Sequence, residues 1–198
     1  MNVSFVIPAK NEQGNIRPLV TEITQHTPPE VEFEIIYVDD GSTDGTLSEI
    51  RELANDLPVC LRVVQHEKSM GQSTAIMTGV RYARYEWIIT LDADGQNDPA
   101  DIPHFIEVAA RQPIETDFCV AGYRKNRKDT AWKRLQSRIA NRVRQRLLHD
   151  ETPDTGCGLK LIPRSTFLSL PYFDHMHRFL PALVKRLEGR VFVVEVNH

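Results

Sequence analysis

The sequence predicts an α/β domain: a mostly parallel β-sheet flanked by helices on both faces. Short, near-continuously apolar strand segments alternate with amphipathic helix-length segments through the first 120 residues, the pattern of parallel strands buried on both sides. The chain has 198 residues, enough for one such domain with a sizeable core. Its 41% apolar and 26% charged residues are those of an ordinary globular protein.

The elements follow in order. "VSFVIPA" is a strand, and Glu12 to about Gln25 reads as a helix with Ile16, Leu19, Val20 and Ile23 on one face. "FEIIYVDD" is the second strand; the turn "DGSTDG" leads into the helix "TLSEIRELAND". "LRVVQH" is the third strand and Ser73 to Arg84 the third helix. "EWIITLD" is the fourth strand, and Pro99 to Arg111 a helix capped by Asp98, with Asp101 in its first turn. "DFCVAGYR" is the fifth strand. Beyond it the spacing predicts a long helix from Thr130 to about His149, a loop "DETPDTGCG", a short strand "LKLIP", a helix from Arg178 to Glu188 and a last strand "VFVVEV". The chain stops directly after that strand, which reads as a truncated C-terminus.

Composition excludes several classes. No run approaches the roughly 18 apolar residues of a membrane span, and "MNVSFVIP" has neither the basic nor the apolar region of a signal peptide. Cys60, Cys119 and Cys157 lack metal-ligand spacing and read as reduced thiols of a cytosolic protein. The net charge of −3 hides an asymmetry: residues 122–148 carry ten Lys or Arg against Asp129 alone, and the remainder is strongly acidic. A basic segment on an acidic body suggests an anionic partner for one face. Nucleic acid is not that partner, because no aromatic side chains interleave the cations for base stacking.

Two strands end in carboxylates, Asp39 and Asp40 after "IIYV", Asp92 and Asp94 after "WIITL". Parallel strands bring these ends to one sheet edge, beyond which ligands of such folds bind. Crowding acids there costs Coulomb energy unless a cation or hydrogen bonds offset it. Helix capping accounts for single acids but less well for both pairs. Hard oxygen ligands suit Mg2+ or Mn2+, which take one or two carboxylates together with substrate phosphates. Asp92 and Asp94 can both reach one ion if the chain turns at Ala93. An EF-hand starting at Asp92 fails, since Asn97 and Pro103 occupy its glycine and glutamate positions. "VIPAKNE" sets Pro8, Asn11 and Glu12 at the same edge, and Gly71 and Ser73 open the third helix.

In this order and spacing, "VIPAKNE", "VDDGSTDGT", "MGQSTAIMTG" and "LDADGQ" resemble family 2 glycosyltransferases, most nearly the dolichyl- and polyprenyl-phosphate sugar transferases. The resemblance covers essentially the whole chain. It implies a GT-A type nucleotide-sugar-binding fold, with a nucleotide-sugar half over 1–122 and an acceptor half over 123–198. Pro8, Asn11 and Glu12 would line the nucleotide pocket with Gly71, and Asp39 or Asp40 would contact base or ribose. Asp92, Asp94 and Gln96 would hold the divalent metal against the diphosphate. "GYR" and "SRIAN" look like the family's basic acceptor region, so Arg124 and Arg138 would contact phosphates. "DTGCGLK" resembles its acceptor loop, giving Asp154, Gly158 and Lys160, and "HRFLPAL" resembles a later segment. The family often continues past "VNH" with a basic, glycine-containing stretch and sometimes membrane helices. "MGQS" departs from the "GKG" of many dolichyl-phosphate mannose synthases, which leaves the sugar open.

The long basic helix carries an apolar row (Trp132, Leu135, Ile139, Val143, Leu147) beside Arg134, Arg138, Arg142 and Arg146. It is either a core-packed helix with a solvated basic face or an interfacial helix on anionic headgroups. A polyprenyl-phosphate acceptor makes the second intelligible and places the protein at the inner face of a membrane. Such an acceptor is already an anionic nucleophile, so the tasks are charge neutralisation and in-line positioning. Asp154 would orient that acceptor, or act as base toward a saccharide hydroxyl. Two other classes remain. A non-catalytic nucleotide-sugar sensor would use the same fold. "LDADGQ" superficially resembles the motif of haloacid-dehalogenase-type phosphatases, but those carry it on the first strand with an acidic pair downstream.

Overall fold

A computed structural model describes residues 1–57, 59–113, 115–124, 154 and 156–197. The expected long basic helix and Arg138 lie outside these residues. The described chain runs β1 (Val3–Ala9), α1 (Ile16–His26), β2 (Phe33–Asp39), α2 (Thr46–Asp56), β3 (Cys60–Gln65), α3 (Gln72–Tyr82), β4 (Trp87–Thr90), α4 (Ile102–Ala110) and β5 (Phe118–Arg124). It continues with β6 (Lys160–Pro163), α5 (Arg164–Ser169), α6 (Leu180–Arg186) and β7 (Arg190–Val196). Single 3-10 turns at Pro99–Asp101 and Met176–Arg178 precede α4 and α6.

One seven-stranded sheet has the order β3-β2-β1-β4-β6-β5-β7. β1 lies between β2 and β4, parallel to both, and β7 runs parallel to β5. β6 alone is antiparallel to its neighbours β4 and β5. The strands are apolar on both sides because each face of the sheet is covered. One core packs β1, β2 and β4 against α1 and α4 through Phe5, Ile7, Ile16, Ile35, Tyr37 and Phe105. The other packs Val6, Ile36, Val38 and Ile88 against α3, α5 and α6. A Cβ at Gly79 would overlap Val6, so this glycine allows α3 to lie directly on β1.

Several boundaries differ from the sequence reading. α1 begins at Ile16, not Glu12, although its buried face is the expected Ile16, Leu19, Val20 and Ile23. Asn11 adopts φ 57° and Gly14 φ 91°, and the loop is tied to the one after β2 instead of forming a helical turn. Asn11 accepts from the Thr43 backbone N–H at 2.9 Å, while Glu12 and Gly14 donate backbone N–H groups to Thr46 and Glu49. The fourth helix opens as a 3-10 turn. Asp98 caps it as expected, accepting from the Ala100 N–H at 2.9 Å. Asp101 also accepts from the backbone N–H of Asn197 at 2.9 Å, fastening the end of β7. The helix α5 was not legible in the sequence, and the helix after it is shorter than expected.

Candidate active site

The parallel register sets three strand ends side by side. Ala9 pairs with Asp39, and Val6 with Thr90, so the residues just after β1, β2 and β4 share one edge. β5 ends at that edge with Arg124. β6, running the other way, begins there, so the preceding loop delivers Asp154, Gly156, Cys157, Gly158 and Lys160 to it. A cavity of about 710 Å³ opens at this edge, and Gly71, Gln72, His177 and Arg178 also line it.

Of the residues expected at the site, Pro8, Glu12, Asp40, Gly71, Asp92, Asp94, Arg124 and Asp154 line this cavity, whereas Asn11, Asp39 and Gln96 do not. Asn11 is engaged with the loop after β2. Asp39 is fully buried; one carboxylate oxygen accepts from the Ser42 N–H at 3.3 Å and the other has no hydrogen-bond partner. Its side chain shares a sheet face with Tyr37, whose buried hydroxyl is also unpartnered. The Tyr37 pKa is raised, first by burial and then by Glu49 and Glu12. Gln96 is exposed and its backbone N–H donates to Asp94 at 3.0 Å, closing the turn after β4.

Asp40 lines the cavity but its acceptors are largely taken. It receives Ser69 Oγ, Met70 N–H and Gly71 N–H at 2.8–2.9 Å and contacts His66 Nδ1 at 2.8 Å. Burial alone would raise its pKa; these hydrogen bonds outweigh that and hold it below the ordinary value. Asp40 therefore fastens the loop 66–71 that opens α3.

Asp92 is half-buried. Its backbone N–H donates to Asn97 Oδ1 at 3.0 Å, and one carboxylate oxygen accepts from Gln72 Nε2 at 2.7 Å. The other oxygen lies where a side chain on Gly158 would stand, so only glycine fits there. Thr90 Oγ1 donates to the Gly158 carbonyl at 2.8 Å and holds the two loops together. Burial raises the Asp92 pKa; Lys160 opposes this, Asp94 adds to it, and Gln72 and Arg124 lower it. A divalent cation would relieve the repulsion between the two carboxylates. Among the described residues no three His, Cys, Asp or Glu gather as a complete ligand set. Two carboxylates fit an ion that takes its other ligands from diphosphate oxygens and water.

Arg124 and Asp154 form a buried two-point ion pair, Nε to Oδ2 at 2.7 Å and Nη2 to Oδ1 at 3.2 Å, with side chains 8% and 4% exposed. Burial would weaken the guanidinium's hold on its proton, but Asp154 more than restores it and the Arg124 pKa is raised. The Gly156 N–H also donates to Asp154 at 3.0 Å. The Lys160 ammonium is buried and donates to the Cys157 carbonyl. Gln72, His66 and Ser69 join the site without having been singled out in the sequence. The signal available for Gln72 was its place at the start of α3, where side chains reach across the sheet edge.

Residues 4–169 match the family model described as glycosyl transferase family 2. Among curated proteins, a dodecaprenyl-phosphate galacturonate synthase of Rhizobium johnstonii is 35% identical over 202 residues, covering 100% of this chain and 59% of that protein. An undecaprenyl-phosphate 4-deoxy-4-formamido-L-arabinose transferase of Serratia proteamaculans is 34% identical over 201 residues, covering 99% and 59%. The chain thus spans 59% of the length of these relatives. Among solved structures, glucosyl-3-phosphoglycerate synthase of Mycobacterium tuberculosis with uridine diphosphate superimposes with a TM-score of 0.72 at 20% identity, over 100% of this chain and 71% of that one. A mannosyltransferase of Pyrobaculum calidifontis with GDP-mannose and Mn2+ gives 0.71 at 19%, over 98% and 54%. These likenesses show the fold, the GT-A arrangement that the sequence motifs imply.

Proposed function

The chain belongs to glycosyl transferase family 2, and on that premise we propose that it transfers a sugar from a nucleotide diphosphate to a polyprenyl phosphate at a membrane surface. The observation that carries this is the charge layout of one cavity, in which the carboxylates Asp92 and Asp94 stand with the cations Lys10, Lys160 and Arg178, while Arg124 is paired with Asp154 and Glu12 and Asp40 also line the wall. Such cations suit a diphosphate and a second phosphate meeting in one cleft, since each brings negative charge out of water. The printed activities of the two curated relatives, both toward polyprenyl phosphates, support the acceptor class.

In this reading an acceptor phosphate oxygen attacks the anomeric carbon with inversion, and the bond to the diphosphate breaks with its electron pair leaving on the nucleotide. Asp92 and Asp94 would hold a Mg2+ or Mn2+ ion, which when bound neutralises charge on the leaving diphosphate. Gln72 and Gly158 set the Asp92 carboxylate. Lys160 offsets negative charge at the centre of the site. The acceptor needs no deprotonation, and Asp154 is suited to fixing Arg124 rather than to serving as base, because the guanidinium occupies both its oxygens. That arrangement favours a phosphate over a saccharide hydroxyl as nucleophile.

The test is incubation of the full chain with undecaprenyl phosphate, Mn2+ and a panel of radiolabelled nucleotide sugars. Label should pass into an organic-extractable product with one donor class, and Asp92→Asn should abolish it. Transfer only to water-soluble saccharide, or binding of donor without turnover, would sink the proposal. Among the described residues no helix is long and apolar enough to cross a membrane.

A further inference from the structure

Ser73 and His177, 104 residues apart in sequence, meet in the cavity wall. Ser73 sits in the first turn of α3 and is 1% exposed; His177 lies in the 3-10 turn before α6 and lines the cavity. Ser73 Oγ stands 2.7 Å from His177 Nδ1 and 3.4 Å from the His177 backbone N–H. The backbone N–H can only donate, so the Ser73 oxygen accepts it. The buried hydroxyl proton then needs an acceptor of its own, and among the described residues the one in reach is His177 Nδ1. Nδ1 is therefore the lone-pair nitrogen, and in a neutral ring the proton must sit on Nε2.

The ring is neutral at physiological pH. Burial, then Lys160, Arg178 and His175, lower its pKa to about 4, against the opposing pull of Asp174. Nε2 has no protein hydrogen-bond partner among the described residues. His177 lines the same cavity as Asp92 and Asp94, the residues proposed above to hold the metal and diphosphate. Ser73 follows Gln72, which holds Asp92, and Lys160 acts on both Asp92 and His177.

We propose that Ser73 holds His177 in the Nε2–H tautomer, so that the imidazole presents a hydrogen-bond donor to an oxygen of the bound nucleotide sugar. The inference rests on the donor class proposed above. His177 would touch the substrate, and Ser73 would act through it as a positioning residue. A neutral donor suits this place, since a further cation beside Lys160 and Arg178 would cost Coulomb energy. In this tautomer Nε2 has no lone pair, so His177 neither takes a proton nor ligates a metal. The accepting oxygen belongs either to the sugar or to the diphosphate.

Two measurements test the inference. The first is NMR of the full chain with 15N-labelled histidine. At pH 7 His177 should show a protonated Nε2 and an unprotonated Nδ1; Ser73→Ala should mix the tautomers, and Ser73→Thr should restore the wild-type pattern. A proton on Nδ1 in the wild type overturns the proposal. The second is calorimetric titration, in Mn2+, with UDP-galacturonic acid, GDP-mannose, UDP and GDP. For the nucleotide class that binds, His177→Phe should weaken the sugar nucleotide about ten-fold, the value of one hydrogen bond, and His177→Gln, which keeps a donor, should lose less. Weakening of the sugar nucleotide alone assigns the oxygen to the sugar; equal weakening of the free nucleotide assigns it to the diphosphate. Unchanged affinity in His177→Phe, with wild-type binding and transfer intact, overturns this inference alone. A wild type that binds none of the four overturns the donor reading as well.

Discussion

Separating Arg124 from Asp154 should expose how much of the acceptor side of the cleft is held by one ion pair. Each partner is almost fully enclosed, with 8% and 4% of its side chain exposed, and the contact is made at two points, 2.7 and 3.2 Å. Asp154→Ala leaves a buried guanidinium without its counter-charge and removes the acceptor of the Gly156 N–H. Breaking a buried pair on one side costs about 3–5 kcal/mol, which for a chain of this size lowers the Tm by about 6–20 °C. Arg124→Met should also destabilise, because it removes the two-point partner of a buried carboxylate. In the double variant Arg124→Met, Asp154→Leu neither member of the pair is left facing the gap of the other, so the loss should fall well below the sum of the two, with a coupling of about 2 kcal/mol or more. Thermal unfolding of the four proteins at matched ionic strength gives the cycle. Additivity within about 0.5 kcal/mol would refute the reasoning. So would an Asp154→Asn protein with unchanged Tm and no turnover, which would restore Asp154 to the role of base.

Asp92 has its pKa raised by burial. A folded-state pKa above the unfolded one favours the fold only at pH values low enough to protonate the group, and that contribution is lost as pH rises through the folded pKa. Asp92→Asn should therefore raise the Tm of the metal-free protein near neutrality, with the gain fading toward acid pH, while Mn2+ stabilises the wild type and not the variant. Asp40 has the opposite sign, since its hydrogen bonds hold its folded pKa down. Its contribution is present above the unfolded value and is lost as pH falls through the folded one, so Asp40→Asn should flatten the acid limb of a stability–pH curve below about pH 4. Gly158→Ala drives a methyl into the Asp92 carboxylate and close to Asn97 Oδ1. Mn2+-dependent nucleotide binding, followed by calorimetry, should weaken at least about ten-fold, a displacement cost of about 1.4 kcal/mol.

Much of the scaffold was legible from periodicity. The buried face of α1, the full extent of α2 and the two acid-tipped strand ends follow from spacing and from the chemistry of strand termini. Where the expectations failed, long-range hydrogen bonds had replaced local ones. Glu12 belongs to a helix by pattern, yet its backbone N–H is claimed by Thr46, 34 residues on. Asp39 and Asp40 look alike in sequence, but strand alternation sends them to opposite faces. One is buried with an unpartnered oxygen while the other ties down the loop 66–71. Asp154 was read as an acceptor-orienting group or a base. Its carboxylate meets Arg124 at two points, a pairing that no local pattern records.

The sequence by itself determined the α/β class, the alternation of strands and helices as far as β5, and the pair Asp92–Asp94 at the end of β4, because apolar periodicity and chain order are local quantities. Only the tertiary structure decided that β6 runs antiparallel and so carries Asp154, Gly158 and Lys160 to the same edge as Asp92. It alone decided that Ser73 meets His177. The reason is physical: a side chain's chemistry depends on which donors and charges saturate it, and those partners come from strand ends and loops that only register and topology bring together.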